Sequence, residues 1–304
     1  MQIYLPVAEL SLNIFLLIGL GLAIGFLSGM FGIGGGFILT PFLIFLGVPA
    51  GVAVGTGASQ VVASSVSSAI GHWQRGNIDF QMGYLLIGGG VFGALAGVKV
   101  LAILSAYGQL DLFVSLSYVV LLGVVGALML IESAQKLMPK QGAAPVSIRR
   151  GGQHTWIDGL PLKQRFRRSK IYVSAIPPVA LGGFVGWLTA IMGVGGGFLL
   201  VPAMIYLLRL PTRIVIGTST FQIVCITAFT TVLQSVQNHS VDIMLSLPLM
   251  FGGVIGAQLG VGFSERLKAE QLRALLALLV IAVAVRMALG LVVPPSFPYT
   301  LDTR

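Results

Sequence analysis

The first half of the chain contains 65 consecutive residues, 10–74, without a single Asp, Glu, Lys or Arg. A helix needs roughly 20 apolar residues to cross a bilayer, so this stretch is long enough for several crossings. Over all 304 residues 9% are charged and 56% are hydrophobic, whereas soluble domains carry about 25% charged residues. The apolar runs are continuous and lack the alternation of membrane β-barrel strands. The sequence therefore predicts an all-α polytopic membrane protein and excludes a soluble globule.

The positive charge is concentrated in one segment. Nine of the 18 Lys and Arg residues lie between Lys136 and Lys170, opposed there only by Asp158. A net charge of +9 also occurs in nucleic-acid-binding proteins, but the positive-inside bias of membrane proteins explains a basic loop between apolar segments. We therefore expect residues 134–170 to form a cytoplasmic linker and expect no nucleic acid as a partner. The single cysteine, Cys225, excludes an intramolecular disulfide and a Cys-rich metal centre, and we predict neither a metal nor a cofactor.

The chain contains an internal repeat. The sequence GFLSGMFGIGGGFILTP at residues 25–41 is matched 161 positions later by GWLTAIMGVGGGFLLVP at residues 186–202. The match continues beyond both motifs through a Gly-Thr pair, a Gln, an Asp and a series of glycines, after single-residue insertions. The repeat predicts two homologous transmembrane halves, 1–133 and 171–304, joined by the basic linker.

Apolar segments predict five helices in each half. They are expected near 10–31, 37–47, 52–72, 82–104 and 112–133, and near 171–192, 198–208, 214–236, 243–263 and 272–293. The second segment of each half has 11 residues, which reach only about 16 Å into a hydrocarbon core about 30 Å thick. We therefore predict that these two are half-helices of discontinuous helices, and that the membrane holds about 8–10 segments in all.

Lys and Arg in the short loops predict the orientation of the chain. With the linker inside, residues 105–111, which contain no Lys or Arg, lie outside, while Arg75 and the loop at 266–273 lie inside. Because each half has an odd number of segments, the second half enters the membrane from the side opposite to the first. The two halves are therefore predicted to form an inverted repeat, the arrangement of many secondary transporters.

The glycine runs at 32–36 and 193–197 are predicted to break the helices, because each Gly costs up to about 1 kcal/mol relative to Ala inside a helix. A dinucleotide-binding interpretation fails, since there is neither a preceding strand nor a following acidic residue. The half-helix after each break would offer unpaired N–H groups and about half a positive charge to an anion. The alternative is that the glycines only let helices pack closely. The predicted anion-binding residues are Gly34, Gly35, Gly36 and Phe37 with Gly195, Gly196, Gly197 and Phe198.

Polar residues near the glycine runs are further candidates for substrate contacts. Ser28 and Thr189 precede the runs at matched positions, and each hydroxyl either binds a substrate oxygen or bonds to a carbonyl of its own helix. Two Thr-Gln pairs, with the partners four positions apart, each share a helix face, where they either line a polar cavity or form interhelical hydrogen bonds. These pairs are Thr56 with Gln60 and Thr218 with Gln222.

The sequence contains few groups suited to catalysis. Asp79 and Asp242 stand at the start of matched helices, where N-capping is favoured over a proton-relay role. The three histidines, His72, His154 and His239, form no pair at metal-ligand spacing and no recognisable dyad with a serine. We therefore do not expect an enzyme.

The duplicated S/T-x-x-x-G-I/V-G-G-G-F-x-x-x-P motif, followed by Gly-Thr at 55–56 and Gly-Thr-Ser at 217–219, resembles the TauE/SafE family of sulfite exporters and related anion permeases. The resemblance covers both halves. The second signature of that family usually reads Gly-Thr-Ser, and the first half departs from it with Gly57. The resemblance implies a multi-pass protein of the bacterial inner membrane that moves sulfite, a sulfonate or another sulfur-containing organic anion.

Residue patterns and resemblance together predict a secondary transporter for a small anion, which works by alternating access with its site between the two repeats. An anion channel is the main alternative, and an intramembrane enzyme is a third. The expected partners are the anion and the lipid bilayer, with a homo-oligomer as a further option. The sequence leaves open which anion moves, in which direction, and with which coupling ion.

Overall fold

Ten α-helices and two β-hairpins make up the part of the chain that the computed structural model describes, which is residues 2–31, 33–137, 163–166, 168, 171–208, 210–263 and 269–292. The helices are α1 (Ile14–Phe31), α2 (Gly36–Phe45), α3 (Ala50–Gln74), α4 (Phe80–Ala106), α5 (Leu110–Leu137), α6 (Ile176–Met192), α7 (Gly197–Tyr206), α8 (Thr212–Gln237), α9 (Ile243–Phe263) and α10 (Ala269–Val292). The strands are β1 (Gln2–Leu5) and β2 (Leu10–Asn13), and β3 (Lys163–Phe166) and β4 (Ile171–Ser174). Most of the predicted linker, Gly32 and residues 264–268 lie outside the described residues.

The helices confirm the segments predicted from the sequence, with ends that differ by a few residues. Among the described residues, five stretches are long and apolar enough to cross a membrane: Ile14–Phe31, Phe80–Ala106, Leu110–Ala127, Ile214–Gln237 and Ile243–Phe263. The chain is therefore a multi-pass membrane protein. As predicted, α2 and α7 are short, with 10 residues each, which is about 15 Å of helix.

The prediction was wrong at two helix starts, because residues 10–13 and 171–174 form strands. Each strand pairs antiparallel with a preceding strand, Leu10–Asn13 with Gln2–Leu5 and Ile171–Ser174 with Lys163–Phe166. Apolar and polar residues alternate in LSLN, and IYVS contains β-branched residues, so both fit a pleated strand better than a helix. The two hairpins lie 161 positions apart, which is the offset of the glycine motifs.

Glycine brings α1 against α9, and α6 against α4, in backbone contact. A Cβ at Gly25 of α1 would overlap the carbonyl oxygen of Gly253 in α9, and a Cβ at Gly186 of α6 would overlap that of Gly90 in α4. The glycines four residues to either side of Gly25 face the residues four to either side of Gly253 in the same order, so α1 and α9 run parallel. Small residues allow this approach inside a membrane, where packing replaces the hydrophobic driving force.

The central helices α3 and α8 cross in opposite directions. A Cβ at Gly55, near the start of α3, would lie 2.7 Å from Oγ of Ser240, which follows α8. A Cβ at Gly217, near the start of α8, would lie 2.5 Å from the carbonyl oxygen of Asn77, which follows α3. Each helix begins where the other ends, so these two homologous helices are antiparallel.

The packing of the other helices follows the repeat. α1 packs along α9, while α6, the counterpart of α1, packs along α4, the counterpart of α9. In the same way α2 packs on α3 and α7 packs on α8, and the last helices of the two halves, α5 and α10, pack on each other. Most helices of each half therefore pack on helices of the other half, and the homologous helices α3 and α8 meet at their crossing.

Candidate functional site

Both predicted helix breaks are confirmed. α1 ends at Phe31 and α2 begins at Gly36, and α6 ends at Met192 and α7 begins at Gly197. Between the helices the backbone takes positive φ angles of +86° at Gly34, +65° at Gly35, +74° at Gly195 and +67° at Gly196. Residues with a Cβ rarely adopt this left-handed region, so the glycines allow the chain to end one helix and start the next within a few residues.

The two breaks lie against each other. A Cβ at Gly36 would lie 2.6 Å from the carbonyl oxygen of Gly193, and a Cβ at Gly197 would lie 2.6 Å from that of Ile33. The rings of Phe37 and Phe198, the next residues of the two half-helices, are 5.6 Å apart between centroids. The sequence-predicted glycines and phenylalanines of the two halves are therefore brought together at one place, where the N-termini of α2 and α7 meet.

Two of these glycines also have a clear packing role. A Cβ at Gly35 would lie 2.9 Å from Cγ2 of Ile24 and 3.1 Å from Cβ of Ser28. At the matched position, a Cβ at Gly196 would overlap Cγ1 of Val185 and lie 3.1 Å from Oγ1 of Thr189. Ser28 and Thr189 thus pack directly against the left-handed glycines. A side chain at Gly35 or Gly196 is disfavoured both by the positive φ angle and by these close neighbours.

The predicted glutamines carry the most unusual feature of the site. Gln60 and Gln222 are completely buried, and neither the Oε1 nor the Nε2 atom of either side chain has a hydrogen-bond partner among the described residues. A buried polar atom without a partner costs about 1–3 kcal/mol, and nearly all such atoms in native proteins are paired. Each glutamine directly precedes a residue, Val61 or Ile223, whose side chain would lie 3.3 Å from a Cβ at Gly34.

The predicted threonines form interhelical hydrogen bonds between the halves. Oγ1 of Thr56 accepts from the backbone N–H of Asp242 at 3.1 Å, and Oγ1 of Thr218 accepts from that of Asp79 at 3.0 Å. Since Thr56 and Thr218 stand near the starts of antiparallel helices, they lie toward opposite ends of the crossing. Of the two interpretations left open for the Thr-Gln pairs, the threonines take the interhelical bond, while the glutamines have no partner.

The predicted capping roles of the aspartates are confirmed. The carboxylate of Asp79 accepts from the N–H of Met82 at 3.3 Å, and Oδ1 of Asp242 accepts from the N–H of Leu245 at 3.1 Å. The Oδ2 atom of Asp242 also accepts from Val7 at 2.9 Å and from Ala8 at 3.3 Å, both in the turn of the first hairpin. That buried carboxylate therefore ties the hairpin to the start of α9.

The hydroxyl of Thr189 bonds within its own helix, because Oγ1 donates to the carbonyl of Val185 at 2.8 Å. This is the second of the two roles considered for it. The Ser28 side chain is buried, and its Cβ would lie 3.1 Å from a Cβ at Gly35. Both hydroxyl residues therefore pack against the glycine turns, Ser28 on Gly35 and Thr189 on Gly196.

Sequence reasoning did not identify a cavity of about 330 Å³ at the place where α3 and α5 begin and α4 and α8 end. Its polar lining includes Ser105, Asp111, Gln234, Asn238, His239 and Ser240. Gln234 is held in place, since its Nε2 donates to the carbonyl of Ala190 at 3.0 Å and its Oε1 accepts from Nδ2 of Asn238 at 2.7 Å. The signal in the sequence was the run of polar residues Asn238, His239 and Ser240 directly after α8.

Comparison with known proteins covers most of the chain. The family described as sulfite exporter TauE/SafE matches residues 17–287. The probable membrane transporter protein YunE of Bacillus subtilis (strain 168) is 27% identical over 266 residues, which cover 84% of this chain and 90% of that protein. A probable membrane transporter protein of Xylella fastidiosa (strain 9a5c) is 30% identical over 272 residues, which cover 88% of this chain and 92% of that protein. No solved structure matches the chain.

The family match includes both glycine breaks, the α3–α8 crossing and four of the five membrane-crossing stretches in full, together with most of the fifth. The two relatives are named as probable membrane transporters, and the match covers 90% and 92% of their lengths. The resemblance drawn from the duplicated motif is therefore confirmed, and the protein is a membrane transporter. It belongs to the sulfite exporter TauE/SafE family.

Proposed function

We propose that this protein is a secondary transporter that moves a small anion by alternating access, with the binding site at the crossing of α3 and α8. The observation that carries this proposal is the pair of buried, unpartnered amides of Gln60 and Gln222. A bound solute that accepts hydrogen bonds would satisfy the Nε2 atoms of both side chains. Repeat-related helices supply the two amides, as expected for a site shared between two halves.

The charge of the solute follows from the helix ends. α2 and α7 both begin at the meeting point of the glycine turns, and each N-terminus carries roughly half a positive charge, although the N–H of Gly36 already donates to the carbonyl of Gly34 at 2.7 Å. An anion is favoured at such a place without any cationic side chain. Because backbone from both halves is in contact there, only a small anion fits without separation of the halves. Sulfite agrees with the family description, and we include a sulfonate or another sulfur-containing organic anion as chemically similar candidates.

The proposed alternation depends on an inverted repeat. Its support is the antiparallel crossing of α3 and α8 and the exchange of partners between the α1–α9 and α4–α6 pairs. Helices related by an axis in the membrane plane point in opposite directions, whereas a parallel repeat would align them. The protein can then adopt two related conformations, one with the site open to each side of the membrane.

The orientation is part of the proposal. We place the chain in the bacterial inner membrane with the basic linker in the cytoplasm and the loop at Gln109 outside. A Gln109→Cys variant in a Cys225→Ser background is expected to react with an impermeant maleimide in intact cells. A cysteine in place of Gln153 is expected to react only after the cells are opened, and the reverse order would contradict the orientation.

Counterflow tests the transport mechanism. Proteoliposomes loaded with unlabelled sulfite are placed in trace labelled sulfite, and a transporter that alternates accumulates label transiently above equilibrium. An anion channel equilibrates the label without overshoot, so the shape of the time course separates the two. The uptake of label driven by internal thiosulfate, taurine or acetate shows which class of anion the protein exchanges best. Absence of exchange for every anion, in protein that remains folded, would contradict the proposal.

A further inference from the structure

Polar residues follow both central helices in rows of every fourth residue. On α3 the row is Thr56, Gln60, Ser64, Ser68 and His72, and on α8 it is Thr218, Gln222, Ile226, Thr230 and Gln234. The α8 positions lie 162 residues after those of α3, and four of the five are polar in both rows. Every member is buried, with His72 the most exposed at 7%. A row at this spacing is one continuous ridge of the helix surface.

Contact between small residues does not account for these rows, although Gly253 of α9 leaves room for the amide of Gln60. Small residues let membrane helices approach each other, but Gln60, Gln222 and His72 have large side chains. Both amide atoms of each glutamine and both ring nitrogens of His72 lack a hydrogen-bond partner among the described residues. His72 lies in the last turn of α3, and its side chain is buried. Unpartnered polar groups at this density in a membrane protein indicate a path that water or a polar solute occupies.

The hydroxyl members of the rows can serve such a solute. Oγ of Ser68 donates to the carbonyl of Ser64 at 3.0 Å, and Oγ1 of Thr230 donates to that of Ile226 at 2.7 Å. A hydroxyl that bonds to its own helix turns about its C–O bond and donates to a passing anion at little cost, because it recovers the helix bond afterwards. The neutral imidazole of His72 offers one N–H donor in the same way.

The rows lead to opposite ends of the protein because α3 and α8 are antiparallel. Beyond Gln222 the α8 row continues through Thr230 to Gln234, which lines the 330 Å³ cavity together with Asn238 and Ser240. Beyond Gln60 the α3 row continues through Ser68 to His72, at the end where Asn77 meets the start of α8.

We infer that the two rows are the two halves of the translocation route, from the cavity at Gln234 to the central glutamines and from there to His72. The inference rests on the proposed function and adds the path and its lining residues. In one conformation of the protein the α8 row is open to the cavity side, and in the other the α3 row is open to the opposite side.

Cysteine accessibility tests the route. In a Cys225→Ser background, Thr230→Cys and Ser68→Cys place a thiol in each row, and Val232→Cys and Val66→Cys are matched controls on the same helices. The native valines are 62% and 39% exposed, whereas Thr230 is completely buried and Ser68 is 1% exposed. The probe is the impermeant anion 2-sulfonatoethyl methanethiosulfonate, applied to right-side-out and to inside-out vesicles.

The route predicts that the order of thiol reactivity is the reverse of the order of side-chain exposure in the structure. The buried Thr230→Cys thiol should react at least about tenfold faster than the exposed Val232→Cys thiol, because reaction needs a hydrated thiolate and lipid does not supply one. It should react from the cavity side, and the Ser68→Cys thiol should react from the other side. Row thiols that stay unreactive from both sides in variants that still exchange anions, or controls that react as fast, would overturn the route.

The same vesicles separate this inference from the proposed function. If the row thiols react with the stated sidedness but no anion is exchanged by the Cys225→Ser protein, the route stands and the anion function fails. A second comparison uses the repeat itself. His72→Gln copies the residue at the matched position of α8 and should keep at least half of the exchange rate, while His72→Leu should lose most of it. Equal rates in both variants, with both proteins folded, would remove His72 from the route.

Discussion

The two outer helix pairs, α1–α9 and α4–α6, and the central pair, α3–α8, differ in the residues through which their helices pack. In α1–α9 and α4–α6, glycines bring backbone against backbone, and a single added carbon has no room at positions such as Gly25 and Gly186. On α3 and α8, large polar side chains are buried, with Nε2 of Gln60 against Gly253 of α9, and the amides of Gln60 and Gln222 have no hydrogen-bond partner among the described residues. The outer pairs leave no space to rearrange, while the centre contains groups that a solute would satisfy.

This difference indicates which part moves. Parallel helices in backbone contact along their length transmit displacement as a unit, because any shear would separate many close contacts at once. Each outer pair contains one helix from each half, so each forms a block that joins both repeats. We expect the two blocks to move relative to the α3–α8 crossing, where Gly55 and Gly217 make close contacts near the helix ends.

The largest effect should come from adding one carbon to an outer pair. A Cβ at Gly89 of α4 would overlap the carbonyl oxygen of Val179, whereas a Cβ at the adjacent Gly88 has nothing within 4 Å. Gly89→Ala should lower the free energy of unfolding by about 3 kcal/mol or more, because the overlapping atoms are backbone on both sides. Gly88→Ala should raise it by up to about 1 kcal/mol, because Ala is favoured over Gly inside a helix. Thermal melting and size-exclusion profiles of the two purified variants measure this, and similar behaviour would contradict the rigid-pair interpretation.

The next effect should come from the link between an outer pair and its hairpin. Asp242→Ala removes the acceptor for the N–H groups of Leu245, Val7 and Ala8 and should cost about 2 kcal/mol of stability. Asp242→Asn keeps one oxygen and should cost about half as much. Limited proteolysis near the N-terminus should become faster in the alanine variant. Unchanged melting of both variants would show that the buried carboxylate does not hold the hairpin.

A third change separates structure from function at the centre. Gln60→Met and Gln222→Met keep the side-chain length and remove unpartnered polar atoms, so stability should stay constant or rise by about 1 kcal/mol. Anion exchange should nevertheless fall at least about tenfold, since a hydrogen bond to a charged group is worth about 1.5–3 kcal/mol. Gln60→Glu should abolish exchange through repulsion of the anion. Destabilised methionine variants with normal exchange would assign the amides a structural role.

The smallest effect on anion exchange is expected from changes at Thr189, which packs against the glycine turn at Gly196. Since the Thr189 hydroxyl bonds to the carbonyl of Val185, Thr189→Val keeps its shape and should change the exchange rate by less than about twofold. Thr189→Ser should behave like the native protein. A large loss in the valine variant with normal exchange in the serine variant would show that the hydroxyl binds the substrate, which is the other role considered for it.

Several features could be predicted from the order of residues alone. The helices, the breaks at 32–36 and 193–197 and the caps at Asp79 and Asp242 depend on local chemistry, such as the apolar length of a segment, the backbone freedom of glycine and the short side chain of aspartate. The repeat was visible because duplicated residues keep their spacing. The hairpins were missed because four-residue strands beside long apolar helices leave almost no periodic signal.

The tertiary structure decided which of two roles each polar residue takes. Sequence spacing placed Thr56 and Gln60 on one helix face but gave no information on what the face contacts, because a hydrogen bond between halves joins residues 186 positions apart. Only the packed helices show Thr56 bonded to Asp242 and Gln60 without a partner. The sequence by itself determined a duplicated helical membrane protein with broken helices, since those properties are local. The pairing of α1 with α9 and the antiparallel crossing of α3 and α8 are long-range contacts, and they emerge only when the two halves pack together.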